Sequence, residues 1–346
     1  MNKDKLNYAS TGVDIAAGDK AVEKIKGLVK STFNKSVLAG IGQFGGFFKP
    51  DFNQYKSPVL ISSTDGVGTK LKIAYMTGRH NTVGQDLANH CINDILVHGA
   101  KPLFFLDYIG VGKLKPDTVA EVVEGLTIAC KAANMALIGG EVAELPGIYA
   151  PDEYDLAGTI VGVVDQDKII NGSAISEGDA IIGLGSDGLH TNGYSLARKI
   201  VFEIGGLKTD DHIDKIGVTV ADALLQVHRC YLNPVMAILD KHKVNGMAHI
   251  TGGGIRGNLV RILPDNMQAN IHIGKWQIPT IFSFMQTIGN VTEADMFEAF
   301  NMGIGYMLVV SEHIADEVVE DLKRAGEQPY LIGKISGGEK DVILKG

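Results

Sequence analysis

Four times along this chain a short apolar run, the length of a buried strand, ends in glycines and a polar loop. Pro58-Val59-Leu60-Ile61 leads into Ser62-Ser63-Thr64-Asp65-Gly66-Val67-Gly68-Thr69-Lys70-Leu71, and Ala136-Leu137-Ile138 into Gly139-Gly140-Glu141. Ala180–Leu184 leads into Gly185–Gly193, and Met247–Ile250 into Thr251-Gly252-Gly253-Gly254-Ile255-Arg256. Such punctuation demands strands that stop abruptly and helices that start beside them, an architecture of mixed α and β elements. Glycine lets the backbone turn sharply and approach a ligand, so loops of this kind suit anions. The excess is real: 43 of 346 residues are glycine, roughly 12% against about 7% on average.

The first loop carries the most chemistry. Asp65 can hold a hard cation through oxygen, and Lys70 supplies positive charge for a phosphate. Its spacing is not that of G-x-x-x-x-G-K-[ST], so the ordinary P-loop reading fails, and a tight turn with a surface lysine competes. After the loop, Thr82–His98 reads as a helix with Val83, Leu87, Ile92, Ile95 and Leu96 on its apolar face. Asp86, His90, Asn93 and Asp94 fall at i, i+4, i+7 and i+8 and share the opposite face. That stripe contains no lysine, arginine or glutamate, which an ordinary solvated face would carry, and it can order a magnesium ion and its waters. Upstream, a helix over Lys20–Lys30 bears Lys24, Lys26 and Lys30. The glycine- and phenylalanine-rich stretch 38–48 reads as a flap or as a loop packed on its own rings.

In the second half, strand, glycine loop and helix start follow one another at Gly185–Gly193, placing His190 and Asn192 at a natural anion site. The positive helix end favours a neutral His190, able to act as a base or to donate one hydrogen bond. The triple glycine Gly252–Gly254 forms a second cradle, where Arg256 offers a phosphate fork or is simply a surface residue. Val218–His242 is expected to be helical, broken near Pro234. The polar stretch 165–179 is the best domain boundary, dividing the chain into 1–168 and 169–346. Ala157–Val164 echoes Met302–Val309, which hints at two similarly built halves.

Composition narrows the class. A net charge of −8 argues against a nucleic-acid binder driven by bulk electrostatics, while leaving local phosphate sites open. Cys91, Cys130 and Cys230 are too far apart in sequence for a C-x-x-C zinc or redox motif and read as buried thiols in a reducing compartment. Met1–Leu6 has no apolar signal core, and no stretch has the length of a membrane span, so a cytoplasmic protein without membrane partners is expected.

Taken together, these motifs resemble the phosphoribosylformylglycinamidine cyclo-ligase (aminoimidazole ribonucleotide synthetase) family of purine biosynthesis. The likeness rests on Tyr8-Ala9-Ser10-Thr11-Gly12-Val13-Asp14-Ile15, Ile25-Lys26-Gly27, Thr64–Leu71, Asn93-Asp94 and Pro102–Tyr108. It continues through Gly139–Gly147, His190–Leu196 and Thr251–Gly254. The resemblance implies two similarly built α/β domains with mixed sheets, the N-terminal one forming a β-barrel with the same domain of a second copy in a homodimer. It implies ATP-driven ring closure of formylglycinamidine ribonucleotide, with ATP and Mg²⁺ at the site. Asp65, Asp94, Glu141 and Asp86 are then the expected magnesium and ATP-phosphate set. Thr64, Gly66, Gly68, Thr69 and Gly140 line the nucleotide, with Lys70 and Lys26 as phosphate contacts. His190, Asn192 and Thr251-Gly252-Gly253-Gly254 are expected to engage phosphate or substrate. Catalytic roles fall to His190, Lys26 and Asp94. A small-molecule kinase of the same architecture, such as one acting on thiamine phosphate, and a non-catalytic nucleotide-binding protein are the alternatives.

Overall fold

A computed structural model describes residues 11–346; Tyr8, Ala9 and Ser10 of the resemblance lie outside the described residues. The chain forms two compact units. The first holds the described residues through Gln54, together with 62–91 and 102–162; the second holds 55–61, 92–101 and 163–346. The partition is therefore not a single cut, because two short excursions of the early chain group with the later residues.

In chain order the early elements are α1 (Ile15–Lys30), β1 (Pro58–Gly66), α2 (Leu71–Thr77), α3 (Asn81–Leu96), β2 (Lys101–Val111), α4 (Pro116–Ala132), β3 (Ala136–Glu144) and β4 (Tyr154–Asp165). The four strands make one sheet in the order β1-β4-β2-β3, with β2 and β3 parallel and Asp107 opposite Gly140. Helix α1 begins before the expected Lys20 because Asp14 caps it, accepting from the Ala17 N–H at 3.1 Å. Its buried residues Ala21, Ile25 and Val29 recur every four positions, and the helix packs on α4, where Lys24 pairs with Asp117. Pro116 opens α4 at the one place where a missing N–H costs nothing. Helices α3 and α4 meet backbone to backbone: a Cβ on Gly84 would lie 2.0 Å from the Val122 carbonyl oxygen, and one on Gly125 1.9 Å from that of Asn81.

The later elements are β5 (Ala180–Gly185), α5 (Tyr194–Arg198), β6 (His212–Ile213), β7 (Val218–Thr219), α6 (Val220–Leu224), α7 (Leu232–Leu239), β8 (Gly246–His249) and α8 (Gly254–Leu259). They continue with β9 (Met267–His272), α9 (Thr280–Gly289), α10 (Glu293–Ala299), β10 (Ile304–Val310), α11 (Ala315–Arg324), β11 (Pro329–Gly337) and β12 (Asp341–Lys345). Six strands form a mixed sheet ordered β12-β9-β11-β5-β10-β8, in which only β12 and β9 run parallel. Strand β10 is buried along its whole length, as its unbroken apolar run requires. The fold is thus α and β with mixed sheets in both units.

One helix expected from the sequence is absent as written. Val218–His242 resolves into α6 and α7, joined by the segment 225–231 that carries His228 and Tyr231 inward. Pro234 is not the breaker: it is the third residue of α7, within the first turn whose N–H groups lack intrahelical partners anyway. No helix among the described residues is long and apolar enough to cross a membrane.

Candidate active site

In the first unit the end of β1 and the turn after it leave Thr64, Asp65, Gly68 and Thr69 exposed beside a buried Val67 and Lys70. Gly68 has φ +70°, a left-handed conformation that suits glycine and starts the turn into α2. Asp65 is 45% exposed at its side chain, and Oδ2 lies 2.8 Å from the His90 Nε2, while the Gly66 N–H donates to Oδ1 at 2.7 Å. The Thr64 and Thr159 hydroxyls are 2.8 Å apart. Asp65 is therefore an oriented carboxylate, about half exposed at the surface of the first unit.

Lys70 and Asp86, both expected at the ligand, lie in the interior. Their side chains are 0% exposed and pair with each other at 2.7 Å. Burial draws the Lys70 pKa down, and the Asp86 carboxylate opposes that shift. Lys26 lies exposed on the solvent side of α1, and Glu141 is exposed on β3. Gly140 is needed beside it: a Cβ there would fall 2.0 Å from the Asp107 Oδ1. Burial pushes the Asp107 carboxyl up to about 7. Glu144, the last residue of β3, accepts from the Asp14 N–H at 2.6 Å and the Leu114 N–H at 2.7 Å, which makes it a backbone clasp.

In the second unit the last turn of α3 contributes Asn93 and Asp94. Asn93 is fully buried; its Nδ2 donates to the Arg229 carbonyl at 2.8 Å, and its Oδ1 accepts from the Tyr231 N–H at 3.0 Å. The stripe that sequence marks as unusual for a solvated face is thus largely interior, with each residue holding a partner. Asp94, 25% exposed, meets the His249 Nδ1 with Oδ1 at 2.9 Å. His249 Nε2 lies 3.0 Å from His228 Nε2, and His228 Nδ1 lies 3.2 Å from the Thr191 hydroxyl. The His190 ring stacks on that of His228 with centroids 4.0 Å apart.

The loop holding His190 is built for this contact. His190 itself adopts φ +61°, rare for a residue with a Cβ, and glycines 188 and 193 flank it at φ +122° and +77°. Room for its ring comes from β10, where a Cβ on Gly305 would sit 2.4 Å from His190 Cε1 and 2.2 Å from the Tyr231 hydroxyl. Asn192 adjoins the second glycine loop, its Oδ1 being 3.4 Å from where a Gly252 Cβ would stand. There Asn258 donates to the carbonyls of Thr251, Gly252 and Gly254 at 3.3, 3.2 and 2.8 Å, and accepts from the Thr251 hydroxyl at 3.1 Å. Gly253 and Gly254 run at φ +89° and +59°. Arg256 does not face this cradle as a free fork: it holds Asp341 through Nη2 at 3.0 Å to each oxygen.

His228, His249 and Asn258 are the residues that sequence reasoning passed over. His249 had a signal, a histidine closing an apolar strand directly before the triple glycine. His228 had none, since it fell inside a stretch read as one helix.

Residues 53–164 match the N-terminal domain, and residues 176–345 the C-terminal domain, of the AIR synthase related proteins. Solved structures of that build confirm the fold: thiamine-monophosphate kinase from Stenotrophomonas maltophilia K279a, at TM-score 0.72 and 16% identity, covers 93% of this chain and 96% of its own. Hydrogenase maturation protein HypE in complex with ATP, at TM-score 0.69 and 14% identity, covers 94% and 90%. Fold and glycine loops together define a two-domain AIR-synthase-related chain. Within that class, a phosphoribosylformylglycinamidine cyclo-ligase from Thermodesulfovibrio yellowstonii is 52% identical over 341 residues, covering 98% of this chain and 99% of its own. One from Alkaliphilus oremlandii is 49% identical over 340 residues, covering 98% and 100%. The chain belongs to the phosphoribosylformylglycinamidine cyclo-ligase family.

Proposed function

We propose that the chain closes the imidazole ring of 5-aminoimidazole ribonucleotide from formylglycinamidine ribonucleotide, with ATP becoming ADP and phosphate. The carrying observation is identity of about half to named cyclo-ligases along nearly the whole length of both chains. An amide oxygen is a poor leaving group. The formyl oxygen attacks the γ-phosphorus and ADP departs; the amidine nitrogen then attacks the activated carbon, and phosphate leaves with the oxygen.

The residues supply parts for both steps. Two exposed or half-exposed carboxylates of the first unit, Asp65 and Glu141, fit a hard divalent cation. Mg²⁺ bound there neutralises phosphate charge during phosphoryl transfer. Thr64, Gly66, Gly68, Thr69 and Gly140 bring backbone and hydroxyl groups beside those carboxylates, and Lys26 supplies the exposed cation. His90 orients Asp65. In the second unit Asn192 and the Thr251–Gly254 loop, pinned by Asn258, receive the anionic substrate, and the strained His190 sets the shape of its loop. Asp94, with Oδ1 held by His249, is assigned to the histidine pair rather than to the metal. Exposed Leu60 on β1 and Tyr108 on β2 support a homodimer in which the first sheet meets its counterpart in a barrel. A cytoplasmic location fits a nucleotide substrate and ATP.

The test combines purified protein, Mg²⁺-ATP and formylglycinamidine ribonucleotide, and follows a diazotisable aminoimidazole together with ADP and free phosphate. Equal amounts of the three support the reading, and chelating the divalent ion abolishes all of them. A phosphorylated product without free phosphate indicates a kinase, and ATP binding without turnover indicates a non-catalytic protein; either overturns it.

A further inference from the structure

The loop at residues 186–193 carries backbone strain, and strain of that kind persists only where the surroundings hold it. His190 has φ +61°, between Gly188 at +122° and Gly193 at +77°. We propose that Asn301 is the positioning residue that holds this loop in shape to receive the anionic substrate. The inference rests on the ring-closure reading for its substrate, and on hydrogen bonds within the second unit for the hold.

Asn301 stands in the link 300–303 between α10 and β10 and is buried. The link is itself anchored. The Trp276 Nε1–H donates to the Met302 carbonyl at 2.9 Å, and Met302 and Gly303 run at φ +49° and +96°. From that base Asn301 reaches the loop with both ends of its amide. Oδ1 accepts from the Gly303 N–H at 2.8 Å and from the Ser186 hydroxyl at 2.9 Å, while Nδ2 donates to the Gly188 carbonyl at 2.8 Å. The Ser186 N–H donates to the Gly303 carbonyl at 3.0 Å, so main chain and side chain make the same junction. These partners call for an amide in one orientation. Turned over, it would set its NH₂ against the Gly303 N–H and its oxygen against the Gly188 carbonyl. A carboxylate in its place would meet that carbonyl with a lone pair and bring a charge into the interior.

The same stretch of chain grips the far end of the loop. A Cβ on Gly193 would fall 2.4 Å from the Phe300 Cε1, and Phe300 is fully buried. One on Gly254 would fall 1.9 Å from the Phe297 carbonyl oxygen and 3.1 Å from that of Phe300. Residues 297–303 thus abut both glycine loops of the second unit. Asn301 supplies the side-chain attachment to the one that carries the strained residue. A loop held at both ends presents Asn192 and the neighbouring Thr251–Gly254 turn already shaped, so substrate binding has less ordering to do.

The experiment has two readouts. Asn301→Ala removes the whole attachment, and Ser186→Ala removes one arm of it with little change in volume. In steady-state kinetics of aminoimidazole formation, Asn301→Ala is expected to raise the KM for formylglycinamidine ribonucleotide about tenfold or more, with the KM for ATP within about twofold of wild type. Ser186→Ala shows the same split at about threefold. Hydrogen exchange without ligands is followed by mass spectrometry beside the kinetics. Amides of residues 186–193 are expected to exchange about tenfold faster or more in Asn301→Ala, while those of β5 and β10 keep their wild-type rates. A folded variant whose nucleotide-substrate KM is unchanged refutes the proposal. So does a rise of both KM values by one factor, which would make Asn301 a general stabiliser of the unit. If Asn301→Ala does not fold, Ser186→Ala decides by the same two measures. A wild-type protein that makes no aminoimidazole defeats the ring-closure reading, while the exchange rates still decide whether Asn301 holds the loop.

Discussion

Replacing Lys70 by methionine separates two roles that the same residue can be given. If Lys70 serves a ligand phosphate, Lys70→Met raises the KM for ATP and leaves stability alone. In the structure its ammonium meets Asp86 at 2.7 Å with neither side chain exposed. At that distance the attraction is about 6 kcal/mol for an effective dielectric near 20. Removing two ions from water costs several kcal/mol each, so the intact pair contributes about nothing net. Deleting one partner is different, since it strands a buried charge. Lys70→Met is therefore expected to cost about 3–5 kcal/mol, a large part of a typical domain's stability. In a thermal melt this lowers Tm by about 10 °C. The double variant Lys70→Met, Asp86→Leu, which removes both charges, is expected to recover most of the loss. Differential scanning calorimetry on the four proteins of the cycle reads the coupling directly. A Lys70→Met protein that melts within about 1 °C of wild type, with ATP affinity weakened tenfold, refutes the buried pair and restores the phosphate contact.

Three further outcomes follow from particular contacts. Because burial pushes the Asp107 carboxyl up to about 7, the unfolded chain releases that proton at lower pH than the folded one, so stability falls as pH rises from about 4 to about 7. Urea melts across that window show a shallower decline for Asp107→Asn, and an unchanged slope contradicts the assignment. Gly305→Ala puts a methyl 2.4 Å from His190 Cε1 and 2.2 Å from the Tyr231 hydroxyl, so turnover is expected to collapse with a destabilised second unit, measured by steady-state kinetics beside a melt. Arg256→Ala breaks only an exposed pair with Asp341 and is expected to leave both KM values unchanged; a large rise in either would return Arg256 to the phosphate site.

The elements that punctuate the chain were readable because glycine and apolar runs are local signals. The strands at Ala180–Gly185 and before Thr251 stand where the pattern puts them, whereas β1 runs on to Gly66 and β3 to Glu144, past the glycines expected to end them, and the stripe on α3 is a largely interior face. What sequence could not supply was each residue's partner. Asp65 and Asp94 look alike in the chain, yet one meets His90 on α3 and the other meets His249 more than a hundred residues on. Lys70 follows a glycine loop as a phosphate lysine would, and only the fold shows that it is buried with Asp86. His228 was hidden because apolar residues on both sides of it continued a helical period through 225–231, a segment whose tertiary contacts override that preference.

The bare crossing of α3 and α4 at Gly84 and Gly125 has a mechanical meaning. Carbonyl oxygens occupy the space that even one methyl would need at either position. A helix seated so closely can neither roll about its own axis nor slide along its neighbour without collision. The azimuth of Asp86 and His90 is thereby set by main chain against main chain, the stiffest bearing a protein has. Anyone transplanting this carboxylate-and-imidazole face into another scaffold should carry that two-glycine bearing with it.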